Sequence, residues 1–253
     1  MLSLGDKMTV KILRLIGFFF LFFSMSSSAQ NNGINLNKTR VIFDSSKKSA
    51  SVKVNNTTSH KKWLIRAWVT NYADNIKTDK FIITPPLYYI QPNESIQLRV
   101  ENIINSLPAD RESIFSINVL TIPEKEKNSD DDSGILQFAV NHRIKLIYRP
   151  NKLNDKDEIN LAHANLDITK TDRGIIIKNA SPYYITLDNV RVDNRDVKSI
   201  SDFMVEPYGE LLIPETKSSI LSYKIINDYG ARTPVFKVHL KKTSSVGVID
   251  EGV

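Results

Sequence analysis

Four histidines, His60, His142, His163 and His239, are the first residues to test for chemistry in this 253-residue chain. A protein metal site usually draws ligands from positions about two to five residues apart. No pair of these histidines has that spacing, so each reads as a surface or internally satisfied side chain. The acidic trio Asp130, Asp131 and Asp132 lacks the spaced oxygen ligands and closing Glu of a calcium loop, and reads as a solvated turn. The chain has no cysteine, which excludes a thiol nucleophile and a disulfide. It has no G-x-S-x-G elbow, phosphate loop or dinucleotide fingerprint, and its nine glycines leave little for phosphate cradles. Asn56-Thr57-Thr58 matches a glycosylation sequon, a three-residue pattern common by chance. The expectation is a binding protein rather than an enzyme, with no cofactor and no metal.

The residues left for recognition lie in "GILQFAVNHRIKLIYRP", Gly134 to Pro150, where Arg143 and Lys145 interrupt an apolar alternation. The run reads as one strand, about three times the typical length of roughly 5–6 residues. Leu136, Phe138, Val140, Ile144, Leu146 and Tyr148 fall on one side. Gln137, Ala139, Asn141, Arg143, Lys145 and Ile147 fall on the other. In an ordinary half-buried strand the apolar side faces the domain's own core. Here the strand follows the charged segment "EKEKNSDDDSG", Glu124 to Gly134, which is expected to be an exposed, mobile loop. Its start is therefore expected at a sheet edge, where large apolar side chains are an aggregation liability unless a partner covers them. β-Strand addition is the use that fits such an edge.

The elements that must position this strand are read from two-residue periodicity. Residues 1–29 are set aside first. Lys7, Lys11 and Arg14 precede the apolar run Leu15 to Phe23, and small residues lead to Ala29, the layout of a secretory signal peptide. The apolar run is well short of the ~20 residues a spanning helix needs. Removing that segment lowers the formal charge from +6 to +4, with 31 basic and 27 acidic residues scattered along the rest. That scatter reads as an ordinary solvated surface, not as a nucleic-acid track.

Strands are expected over Ile34 to Phe43, "SASVKV", "WLIRAWV", "KFIITPPLYYI" with a break at Pro85-Pro86, "SIQLRVEN" and "SIFSINVLTIP". With the long strand that makes about seven, the rhythm of an immunoglobulin-type sandwich. Pro150 should end the long strand, and the polar "NKLNDKDEIN" after it reads as a linker. A second, smaller β-sandwich follows, with strands in "NLDITKT", "GIIIKN", "YYITLDNVRV", "FMVEP", "SSILSYKII" and "PVFKVHLKK". The expectation is an all-β chain of two immunoglobulin-like β-sandwich domains, residues 30–150 and 151–253.

Five segments carry a family resemblance: "TRVIF" (Thr39 to Phe43), "LPADRESIFSINVLTIP" (Leu107 to Pro123), "RIKLIYRP" (Arg143 to Pro150), "NASPYYITL" (Asn179 to Leu187) and "INDYG" (Ile226 to Gly230). In this order and spacing, the chain resembles the periplasmic pilus-assembly chaperones of the PapD-like family from Ile34 to Leu240. The resemblance implies two domains in an angled, boomerang-like arrangement around a cleft. It implies a periplasmic protein that lends a donor strand to pilus (fimbrial) subunits and passes them to an outer-membrane usher. By motif position, Arg40 and Lys145 would hold the subunit's C-terminal carboxylate. Leu136, Phe138 and Val140 would enter the subunit's groove. Glu112, Arg149 and Asp228 would form an inter-domain charge network. The short charged loop resembles the branch with a short loop before the donor strand. Self-association through the donor strand stays open. The alternative is a secreted two-domain β-sandwich adhesin or structural subunit, which would need an N-terminal donor segment less polar than "AQNNGINLN".

The parity of Lys145, opposite to that of Val140, does not fit a single donor face. A bulge, a twist or a cleft that wraps around the strand would reconcile it.

Overall fold

The structure, a computed structural model, describes residues 33–104, 106–124 and 137–241. Residues 1–29, read above as an export signal, Leu136 and the charged loop beyond Glu124 lie outside the described residues.

The first sandwich is built from β1 (Ile34–Leu36), β2 (Arg40–Asp44), β3 (Ala50–Asn56), β4 (Trp63–Asn71), β5 (Phe81–Thr84), β6 (Leu87–Ile90), β7 (Ser95–Asn102), β8 (Ser113–Pro123) and β9 (Val140–Arg149). One sheet has the order β1-β3-β7-β5 and the other β2-β9-β8-β4-β6. Alternation sets the inward faces. Val52 and Val54 of β3 and Leu98 and Val100 of β7 are fully buried against Ile65, Ala67 and Val69 of β4 and Ile117 and Val119 of β8. Each such side chain contributes roughly 1.5–3 kcal/mol of burial. Phe81 meets Phe115 edge-on at 4.9 Å and Phe43 at 5.6 Å, and Tyr148 of β9 stacks on Phe43 at 5.9 Å.

Three expected strands divide differently in the structure. Ile34 to Phe43 is two strands that serve opposite sheets, β1 pairing β3 and β2 pairing β9. The crossing is held at Asn37, whose N–H donates to Lys53 O while its Oδ1 accepts from Lys53 N. Pro85-Pro86 likewise separates β5 from β6, one in each sheet. In the long run ending at Pro150, the described residues Gln137 to Ala139 are not strand and β9 begins at Val140. Its ladder with β8 runs without a register shift from Ser113 opposite Tyr148 to Thr121 opposite Val140. Continuing that register would put Phe138 opposite Pro123, which has no N–H to donate.

The "linker" is a correction. After a 3₁₀ turn at Asn151–Leu153, Lys156–Ala164 forms an α-helix, α1. Asp155 is its N-cap and accepts from the N–H groups of Asp157 and Glu158. Acidic Asp157 and Glu158 in the first turn suit the positive end of the helix dipole. Ile159 and Ala162 bury one face against Tyr183.

The second sandwich comprises β10 (Asp167–Thr171), β11 (Gly174–Lys178), β12 (Ile185–Val192), β13 (Arg195–Asp196), β14 (Met204–Val205), β15 (Glu210–Ile213), β16 (Ile220–Ile225) and β17 (Phe236–His239). Its sheets run β10-β11-β15 and β13-β12-β16-β17, with β14 also on β12. A register shift between Asp188 and Arg191 changes the parity of β12. Leu187, Val190 and Val192 all reach one core as a result.

Candidate functional site

β2 and β9 run parallel, and their register places Arg40 beside Lys145 and Val41 beside Leu146. Val41 and Leu146 point into the first core. Arg40 and Lys145 therefore share the opposite face of the sheet, toward the second sandwich. Arg40 is 7% exposed and donates from Nη1 to Ile226 O at 3.0 Å, while its buried Nε has no hydrogen-bond partner. The Lys145 ammonium donates to Thr186 Oγ1 at 3.3 Å and sits 5.5 Å from the centre of the Tyr72 ring. Burial pushes the Lys145 pKa down to about 8, against the opposing pull of the Asp202 charge. Burial also lowers the pKa of Arg40, opposed by Asp228 and Glu112. Two desolvated cations without a contacting carboxylate among the described residues favour an added anion. The Arg fork and the Lys point charge are suited to a carboxylate.

This geometry removes the parity problem. There is no bulge in β9, because the β8 ladder is continuous. Even-numbered residues follow the core face and odd-numbered residues the cleft face. Ile144, Leu146 and Tyr148 pack in or against the first core. Phe138 and Val140 lie beyond it, 69% and 48% exposed. Val140 and Lys145 thus lie on opposite faces of one strand.

β9 also changes its neighbours along its length. β8 pairs with all of Val140–Tyr148, whereas β2 pairs only with Lys145–Arg149. Val140–Ile144 therefore presents a backbone edge that no described strand covers.

Glu112, Arg149 and Asp228 come together at the joint of the two sandwiches. Arg149 Nε donates to Glu112 Oε1 at 2.6 Å, and Nη1 and Nη2 donate to Asp228 Oδ2 and Oδ1 at 2.6 and 2.9 Å. Glu112 Oε2 accepts from Tyr184 N, and the Glu112 N–H donates to Pro182 O. Glu112 and Arg149 are only 2% and 3% exposed. Burial pushes the Glu112 pKa up, and the Arg149 charge pulls it back. For Arg149, burial opposes the charge, but Asp228 and Glu112 outweigh it and raise the pKa. The loop that meets Glu112 is shaped by buried Asn179, which donates to Tyr183 O and Glu206 O and accepts from Ser181. The turn carrying Asp228 lies against Thr39 at Gly230, where φ is +83° and a Cβ would collide with Thr39 Oγ1.

Sequence reasoning missed Tyr72, Arg143, Thr186 and Asp202 as parts of the cleft. Tyr72 OH donates to Asp202 Oδ2 at 3.0 Å from the first sandwich to the second. Arg143 donates to Tyr72 O at 2.7 Å and to Ser116 Oγ at 2.9 Å. Only the position of Arg143 in the alternating run carried a sequence signal. His163, read above as a surface or internally satisfied side chain, lies on α1 and is buried. No group of three or more His, Cys, Asp or Glu among the described residues could hold a metal ion.

The family model "Pili and flagellar-assembly chaperone, PapD N-terminal domain" matches residues 33–154, and "Pili assembly chaperone PapD, C-terminal domain" matches residues 161–237. The probable fimbrial chaperone SfmC of Escherichia coli K12 is 34% identical over 233 residues, covering 91% of this chain and 98% of the relative. Among solved structures, the periplasmic chaperone SfaE is 33% identical with a TM-score of 0.65, covering 83% of this chain and 100% of that one. The Salmonella enterica SafA pilin in complex with the SafB chaperone shares the fold at 23% identity and a TM-score of 0.72, over 82% of this chain and 96% of that chain. The two sandwich cores and these matches across both domains place the chain in the PapD-like family of pilus-assembly chaperones.

Proposed function

We propose that this chain is a periplasmic chaperone that captures pilus subunits by β-strand addition, keeps them from aggregating and delivers them to an outer-membrane usher. The observation that carries this reading is the uncovered edge of Val140–Ile144, next to exposed Phe138 and Val140 and adjoining the Arg40–Lys145 pair. A subunit strand extends the sheet along that edge, and main-chain bonds supply affinity without demanding a sequence. Leu136, Phe138 and Val140 enter the subunit's apolar groove, each contributing roughly 1.5–3 kcal/mol before ordering costs. Arg40 and Lys145 hold the subunit's C-terminal carboxylate through charged hydrogen bonds of about 1.5–3 kcal/mol each. The anchor fixes register, because a slip of one residue would present the wrong face to the groove.

In this reading the domains span residues 30–150 and 151–253, and the Glu112–Arg149–Asp228 network sets their angle. Residues 1–29 act as a cleaved export signal. Among the described residues, no helix is long and apolar enough to cross a membrane. The work is binding, not catalysis: affinity, register and domain angle account for every residue assigned. An adhesin or structural subunit gives way to this reading because the matched relatives are named as chaperones.

Co-expression with a fimbrial subunit tests the assignment. Phe138→Glu and Lys145→Ala should each abolish co-purification while the chaperone stays folded. Unchanged co-purification of Lys145→Ala would remove the anchor. A large fall in melting temperature for Phe138→Glu would return Phe138 to the chaperone's own core.

A further inference from the structure

A cavity of about 420 Å³ between the two sandwiches is lined by Tyr72, Arg143, Asp202, Met204 and Glu206 among others, and Tyr72 joins it to Lys145. The charged groups of its lining are two carboxylates, Asp202 and Glu206, and a single cation, Arg143. Tyr72 lines the cavity. Its ring faces the Lys145 ammonium at 5.5 Å and the Arg143 guanidinium at 5.2 Å. Its hydroxyl is tied across the cleft to Asp202 at 3.0 Å, and its carbonyl is held by Arg143 at 2.7 Å. Thr186 occupies another side of the ammonium.

We propose that the Tyr72–Asp202 hydrogen bond is a latch across the mouth of the cleft, which a ligand carboxylate must open to reach Lys145, and that it makes the anchor selective. A small free carboxylate would have to break the latch and approach Asp202 with nothing but the anchor in return. A subunit terminus brings strand pairing along Val140–Ile144 as well, so it alone offsets the cost. Burial and the Asp202 charge push the Tyr72 phenol up to about 12, so the hydroxyl remains a donor throughout the neutral range. The inference rests on the reading of Arg40 and Lys145 as a carboxylate anchor.

The test uses the full chain and a free-acid peptide copying a subunit's C-terminal residues. Tyr72→Phe keeps the ring over both cations and removes only the latch. It should bind the peptide about 3- to 10-fold more tightly, the effect of losing one modest hydrogen bond from the closed arrangement. Asp202→Ala should also tighten binding, and Tyr72→Phe should add nothing in that background. Unchanged or weaker binding by Tyr72→Phe, or a further gain in the double variant, would overturn the latch. A Lys145→Met arm separates the two claims: peptide binding as tight as wild type would sink the anchor reading. The latch is also read without peptide, by amide exchange of Phe203 to Val205. Faster exchange in Tyr72→Phe supports it, and identical exchange overturns it.

Discussion

The two halves of β9 are one strand with two sets of neighbours. Lys145–Tyr148 is paired on both sides, by β8 and β2, and its even side chains pack in the aromatic end of the first core. Val140–Ile144 is paired on one side only, and Val140 is 48% exposed, with Phe138 just before it at 69%. The alternation is the same in both halves. What differs is whether the chain itself supplies the second strand and the opposing sheet. The inner half is committed to folding and to the domain joint, and the outer half keeps one edge that no described strand covers.

The largest break in this contrast should come at the end of the inner half. Arg149→Ala leaves Glu112 buried without its cation and should cost about 3–5 kcal/mol in urea denaturation. A loss below about 1 kcal/mol, the range of an exposed ion pair, would mean the network behaves as a surface pair. Next comes the matched pair Leu146→Ala and Phe138→Ala. Leu146 is fully buried, so its truncation should cost about 2–5 kcal/mol. Phe138→Ala should stay within about ±0.5 kcal/mol of wild type. Equal losses would erase the distinction between the halves.

A smaller effect concerns pH. Lys145 titrates near 8 in the fold, below its ordinary 10.5, because of burial. Below pH 8 it is protonated in both folded and unfolded chains, and the burial penalty is fully present. Between about 8 and 10.5 the unfolded chain holds the proton that the folded chain releases, so stability should rise with pH in that window. Lys145→Met should lose this rise in a urea titration series. Affinity for a carboxylate-terminated peptide should move the other way, weakening as pH rises through about 8, because Lys145 loses its charge. A peptide affinity that is flat through this window would separate binding from the Lys145 ammonium.

Much of the fold was legible because burial writes itself into a strand with period two. Ile65, Ala67 and Val69, or Phe115, Ile117 and Val119, could be assigned to a core from spacing alone. The sheet switch at Asn37–Thr39 could not, since it depends on which sheet receives each half of an alternating run. Helix α1 had a readable start, an Asp155 cap three residues ahead of Glu158, but its polar composition masked the buried stripe of Ile159 and Ala162. Resemblance of short motifs pointed to Arg40, Lys145, Glu112, Arg149 and Asp228. The Tyr72–Asp202 contact spans 130 residues and two domains, and no local pattern announces it. The parity of Lys145 became intelligible only when the second sandwich was seen to face the odd side of β9.

The division of β9 is tested most directly by amide hydrogen exchange of the full chain, alone and bound to a pilus subunit. The expected result is new protection from Phe138 to Ile144, at the amides that β8 leaves unpaired, with Lys145–Arg149 already protected and unchanged. Protection that appears elsewhere while Phe138 to Ile144 continues to exchange would contradict strand addition at this edge.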